Sequence, residues 1–265
     1  MNRLHDTFET LHKKNEKALV GFVTAGDPDV ETSLTIIRAM CDNGMDILEL
    51  GVPFSDPSAD GPVIQRSSSR ALKHSVSLRT VLEMTRRIRE FTAIPIIIFT
   101  YYNPVLAYGA ENFQPDALAA GADGVLVVDL PMEESSELTA LWKETDFSLI
   151  NLVAPTTPKD RMAKISAAAS GFLYLVSKTG VTGSDGLDTS EITTQMTILR
   201  SVTDLPVCVG FGISTPEDVA AVAAVADGVV IGSAFERLIE ENLENPDLTA
   251  LIGRRTAEYK AATRL

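Results

Sequence analysis

Two cysteines, three histidines and one tryptophan are all that 265 residues hold of those types. So few cysteines exclude a disulfide framework. Cys41 and Cys208 read instead as buried free thiols of a reducing cytosol. His5, His12 and His74 are scattered and form neither a catalytic triad nor a metal-ligand spacing. Basic residues are also few: 23 Lys and Arg stand against 36 Asp and Glu, a formal charge of −13. That balance argues against nucleic-acid binding, which needs cations on phosphates. A small anion is not excluded, because backbone N–H groups bind phosphate without net positive charge. Long hydrophobic runs are missing. The stretch Ile94-Pro95-Ile96-Ile97-Ile98-Phe99 falls far short of the ~20 residues that cross a bilayer. The N-terminal residues contain no continuous apolar segment, so no signal peptide is expected and the chain reads as cytoplasmic.

What is present is ordinary in composition and regular in pattern. At 45% hydrophobic and 22% charged, the chain reads as a soluble globular protein. Its length suits one α/β barrel, and burying roughly 75% of the unfolded surface needs no disulfide or metal. Eight short apolar runs recur, at 19–23, 47–50, 96–99, 125–128, 149–153, 172–176, 207–209 and 229–231. They are continuous rather than alternating, as expected of parallel strands buried on both faces. Helical spacing lies between them, for example Val30, Leu34, Ile37 and Cys41. Strands alternating with helices imply a parallel sheet. Eight of them predict a single (β/α)8 TIM-barrel domain over residues 1–265, with no linker. A doubly wound open sheet is the alternative, though it usually has fewer strands. Asp27-Pro28, Thr157-Pro158 and Thr215-Pro216 each predict a helix N-cap followed by proline. Gly44-Met45-Asp46, Gly121-Ala122-Asp123 and Val225-Ala226-Asp227 each precede a strand. The first helix, with Leu4, Phe8 and Leu11, is placed to plug one end of the barrel.

Two segments break the rhythm, and both follow strand ends, where barrel active sites sit. One runs through Pro53–Pro62 and leads into an extra helix at about Val63–Leu72. The other is Ser177–Ser190, rich in Gly, Ser, Thr and Asp. Glu49 interrupts the apolar run Ile47-Leu48-Glu49-Leu50 just before the first of them. Desolvation there would raise its pKa toward general acid/base duty. A buried Glu held in an ion pair is the other reading, and position alone leaves both open. Asp56 and Asp60 follow on a loop stiffened by prolines 53, 57 and 62. An isolated loop Asp is usually a turn residue; Asp60 becomes a catalytic candidate because Glu49 is near. Gly210-Phe211-Gly212 and Gly232-Ser233-Ala234 follow the seventh and eighth strands, the recurrent phosphate site of barrels. Tight turns are the commoner use of such glycines. Gly180-Val181-Thr182-Gly183 could close over the same place. No dinucleotide or Walker fingerprint is present. Lys178 reads as a solvated loop lysine, with a Schiff base as the alternative.

The run Leu48–Gln65 (LELGVPFSDPSADGPVIQ) resembles the signature of the tryptophan synthase α-subunit family. Phe22–Pro28, Tyr101–Pro104, Asp129–Pro131, Gly180–Gly183, Gly210–Ser214 and Gly232–Ala234 match in order, so the resemblance spans nearly the whole chain. It implies a lyase that cleaves indole-3-glycerol phosphate reversibly to indole and glyceraldehyde 3-phosphate. By resemblance Glu49 would shuttle protons and Asp60 would accept the indole N–H. Phe22, Ile64, Tyr101, Leu126, Tyr174, Phe211 and Val230 would wall a flat indole slot. Gly183, Gly212, Gly232 and Ser233 would hold the phosphate, and Thr182 would help a loop close and contact Asp60. The family further implies a pyridoxal-phosphate β subunit as partner, in an αββα heterotetramer, with indole passing between them. Pro53–Ala59 and Asn103-Pro104 would lie at that interface, and this chain would need no cofactor itself. A non-catalytic regulatory subunit that only activates the β partner is the alternative.

Overall fold

Eight parallel strands close into a barrel in chain order, among residues 2–142, 145–177, 189–210 and 212–264 that the computed structural model describes. They are β1 (Ala18–Thr24), β2 (Ile47–Gly51), β3 (Ile96–Thr100), β4 (Gly124–Val127), β5 (Ser148–Val153), β6 (Leu173–Val176), β7 (Val207–Gly210) and β8 (Gly228–Ile231). β1 pairs with both β2 and β8, so the ring has no open edge. Each strand overlaps one of the eight apolar runs. Among the described residues the helices are α1 (Arg3–Lys13), α2 (Val30–Asp42), α3 (Pro62–Lys73), α4 (Leu78–Arg89), α5 (Tyr102–Tyr108), α6 (Ala110–Ala120), α7 (Ser135–Thr139), α8 (Lys159–Ala168), α9 (Thr189–Arg200), α10 (Pro216–Ala223), α11 (Ser233–Glu240) and α12 (Leu248–Ala262).

The strands are apolar throughout because both faces are covered. Leu48 and Leu50 belong to the outer core between sheet and helices, whereas Ile47 joins the barrel interior. That interior is filled by side chains such as Val20, Ile97, Leu126, Ile150 and Cys208. α1 closes the N-terminal end, as the sequence predicts. Leu4 and Leu11 join the interior cluster, and the Phe8 ring lies 6.0 Å from that of Phe172.

The three aspartates before β2, β4 and β8 share one task. Each takes the N–H of the preceding strand's opening: Leu19 to Asp46 at 2.8 Å, Ile96 to Asp123 at 2.9 Å, Val207 to Asp227 at 2.9 Å. A buried strand end would otherwise leave that donor unpaired. Each carboxylate also holds a cation, Lys260, Arg89 with Arg3, and Arg200 respectively.

The three predicted proline caps divide. Thr215 caps α10 with Pro216 in the first turn, and Asp218 completes a capping box. Asp29, not Asp27, caps α2; Asp27 is drawn inward by Arg70, as described below. Pro158 itself occupies the cap position of α8, while Thr157 accepts from the Ala154 N–H at 3.1 Å. Buried or local partners claimed those two side chains before the helix could.

Candidate active site

A cavity of about 260 Å³ opens at the C-terminal ends of the strands. Its floor is the last inward layer: Phe22 from β1, Glu49 from β2, Phe99 from β3, Tyr174 from β6 and Val230 from β8. Asp60, Val63 and Ile64 form one side, where the β2–α3 loop turns into its helix. Gly212, Gly232 and Ser233 form the other. A second cavity, about 240 Å³, lies at the opposite end beneath α1. Its Arg200 and Asp227 already satisfy one another, and barrel chemistry belongs to the C-terminal face.

Glu49 is 1% exposed, and neither carboxyl oxygen has a hydrogen-bond partner among the described residues. Among the described residues nothing supports the ion-pair reading of the sequence. Burial alone pushes its pKa from 4.5 up to about 8. An uncharged acid is the stable state of such a group at neutral pH. It is poised to give a proton to a ligand and take one back.

Asp60 faces the same cavity from a less buried position. Burial lifts its pKa to about 6, and the Tyr101 hydroxyl beside it pulls the other way. Asp60 is thus ionised near neutrality while Glu49 is protonated. Two carboxyl groups with separated pKa values are the usual basis for dividing acid and charge-stabilising roles. Tyr101 does not line the cavity. It stands behind the loop, 3% exposed, where its hydroxyl accepts from the Ala59 N–H at 3.0 Å. Its ring lies 5.2 Å from Phe54. The tyrosine expected as a wall instead braces the segment that carries Asp60.

The apolar walls are Phe22, Phe99, Ile64, Tyr174 and Val230. Phe22 and Phe99 meet edge to face, with centroids 5.0 Å apart. Leu126 is fully buried in the barrel interior and does not reach the cavity. Phe211, Thr182, Gly183 and Lys178 lie outside the described residues. Phe99, Val63, Ile213 and Arg237 line the cavity without having been singled out from the sequence. The inward parity of β2, set by Glu49, would have identified Phe99 through its pairing neighbour Gly51.

Tyr174 is held close by β7. A Cβ on Gly210 would stand 2.6 Å from Tyr174 Cζ. Gly210→Ala is expected to displace that ring and cost about 1–3 kcal/mol of stability, read as a lower midpoint in urea. An unchanged midpoint would mean the ring swings aside freely.

At the other end, Gly212 has φ +76°, a conformation that L side chains rarely adopt. Gly232 caps α11 and Ser233 opens it. The first N–H groups of that helix have no intrahelical partner, and such free donors can take an anion.

α3 and α11, which carry opposite sides of the cavity, are clamped together. Arg70 grips Asp27 through two bonds of 2.7 and 2.8 Å and reaches Glu240 at 2.8 Å. Arg66 adds two bonds of 2.7 Å to Glu240. Beneath them Glu236, fully buried, accepts the Thr24 N–H at 2.7 Å. Burial and the adjacent Asp27 charge push the Glu236 carboxyl far above its ordinary pKa. It is held as a neutral acid against Asp27.

Comparison with known proteins places this geometry. The family model described as tryptophan synthase alpha chain matches residues 8–263. The chain belongs to the tryptophan synthase alpha chain family. The alpha chain of Desulfatibacillum aliphaticivorans is 65% identical over 264 residues, covering 100% of both chains. The solved alpha subunit from Legionella pneumophila is 40% identical with a TM-score of 0.92, covering 99% of this chain and 98% of that one. A chain from the tryptophan synthase of M. tuberculosis is 33% identical with a TM-score of 0.89, covering 100% and 99%. The protein is thus the catalytic alpha subunit of tryptophan biosynthesis, the lyase half that cleaves indole-3-glycerol phosphate. The regulatory-subunit alternative is set aside by the same finding.

Proposed function

We propose that Glu49 and Asp60 carry the cleavage of indole-3-glycerol phosphate to indole and glyceraldehyde 3-phosphate. One observation supports this above all: an unpaired, buried carboxyl and a second, ionised one share an apolar cavity that ends on a helix N-terminus. Protonated Glu49 gives its proton to indole C3, and the ring becomes an electron sink. Asp60 accepts the indole N–H and stabilises the positive charge that spreads to that nitrogen. The bond from C3 to the side chain then breaks. The side-chain hydroxyl becomes the aldehyde of glyceraldehyde 3-phosphate, and its proton returns to Glu49. Phe22, Ile64, Tyr174 and Val230 hold the ring, with Phe211 expected beside them. Gly212, Gly232 and Ser233 hold the phosphate, with Gly183 as a further expected contact, and Thr182 is expected to help its loop close and contact Asp60. Tyr101 acts through Asp60, and Leu126 supports the floor from below.

The reading extends to a partner. A pyridoxal-phosphate β subunit, in an αββα assembly, takes the indole, and this chain, one barrel domain, needs no cofactor of its own. Asn103 and Pro104 lie on α5, which also exposes Leu106 by 51%. An apolar side chain left in water beside them fits a covering subunit. Among the described residues no helix is long and apolar enough to cross a membrane, which is compatible with a cytoplasmic enzyme. The test is indole release from indole-3-glycerol phosphate, by the chain alone and with a β subunit. Slow release alone, accelerated by the partner, is expected. Folded protein that releases none under either condition overturns the reading.

A further inference from the structure

Arg237 is the only cation among the described residues that line the active-site cavity. It lies on α11, one turn beyond Ser233, and residues four apart on a helix share a face. That face carries the phosphate end of the cavity, with Gly232 and Ser233. The other charged side chains lining the cavity are Glu49 and Asp60, both acidic. The acids of α11 are already engaged. Glu236 accepts from Thr24, and Glu240 is held by Arg66 and Arg70. Arg237 is exposed, and its side chain makes no ion pair or hydrogen bond among the described residues.

A phosphate monoester brings up to two negative charges to a protein already at −13. Backbone N–H groups at a helix end supply only about half a positive charge. A guanidinium supplies a whole one, with paired donors that match phosphate oxygens. We propose that Arg237 is the side chain that reads the substrate phosphate and sets the preference for phosphorylated over unphosphorylated three-carbon aldehydes. This rests on the phosphate end lying at Gly212, Gly232 and Ser233.

The test uses the synthetic direction, because there the phosphate and the indole arrive on separate molecules. Wild type, Arg237→Met and Arg237→Lys are assayed for condensation of indole with glyceraldehyde 3-phosphate and with unphosphorylated glyceraldehyde. In Arg237→Met the KM for glyceraldehyde 3-phosphate is expected to rise about tenfold, the scale of one charge-assisted contact at an exposed site. The KM for indole and the rate with glyceraldehyde should stay within about twofold, so the preference shrinks by the same factor. Arg237→Lys, which keeps the charge, should recover most of the loss. An unchanged KM for glyceraldehyde 3-phosphate overturns the proposal. So does an equal loss toward both aldehydes, which would mark a damaged cavity. If wild type itself shows no preference for the phosphorylated aldehyde, the placement of the phosphate end fails instead.

Discussion

Glu49→Gln is expected to lose about 10²–10⁴-fold in turnover, the usual share of a positioned acid/base, while still binding a substrate analogue. Gln keeps the size and the neutral charge of the protonated acid, so the cavity should hardly change. What it cannot do is give a proton to C3 and take one from the hydroxyl. The substitution should also stabilise the protein, and by an amount that depends on pH. The Glu49 carboxyl has a pKa of about 8 when folded, against 4.5 as its ordinary value. The folded protein therefore binds the proton more tightly than the unfolded chain does. Between those two values stability falls as pH rises, and above about 8 the full cost of an ionised, unpaired group is present. That cost is on the order of a few kcal/mol. Gln never ionises. Its melting temperature should lie near wild type at pH 5 and clearly above it at pH 9. Equal differences at the two pH values would show that Glu49 is not held neutral, and retained turnover would remove it from the mechanism. A site that is less stable than its own inactive variant is a familiar cost of function.

The eight strands were readable because parallel strands with both faces covered need apolar residues at every position. The same uniformity hides direction. In β3, Ile98 and Phe99 are equally apolar, yet Ile98 packs outward and Phe99 turns to the cavity. Only a residue that breaks the run reveals the inward parity, and in β2 that residue is Glu49. The proposed pair was therefore visible as candidates, whereas most of the slot around it came from family resemblance. Tyr101 shows the limit of that resemblance. It belongs to the site, but its hydroxyl is spent on the Asp60 loop rather than on a wall. Asp27 shows a different limit. Its cap-like setting before Pro28 is local, while its partner Arg70 lies 43 residues away. Arg237 was passed over for a similar reason. An Arg on an amphipathic helix looks like any solvated charge until the fold puts its helix at the mouth of a cavity.

Asp60→Asn is expected to cost about 10²–10³-fold in kcat, the scale of a charge aimed at a developing opposite charge. Its pH dependence separates the two carboxyl groups. In wild type kcat/KM should rise through about 6, as Asp60 ionises, and fall above about 8, as Glu49 loses the proton it must donate. The substrate phosphate also titrates near 6, so two ionisations steepen the acid limb. Asn removes one, and the limb should relax to the slope of a single group. The alkaline limb should stay near 8, because burial alone sets it and Asp60 contributes nothing to it. A limb of unchanged slope in the variant would take Asp60 out of the ionisation, and a near-wild-type rate would take it out of the mechanism. The synthetic direction supplies an independent check. Cleavage neither consumes nor releases a proton overall, because C3 gains the one that the hydroxyl gives up. Glu49 must then begin and end every turnover protonated, whichever way the reaction runs. Synthesis from indole and glyceraldehyde 3-phosphate should show the same alkaline limb as cleavage. A synthetic rate that instead rises through pH 8 would require Glu49 to start as the carboxylate, and two separate groups, not one, would have to handle the proton.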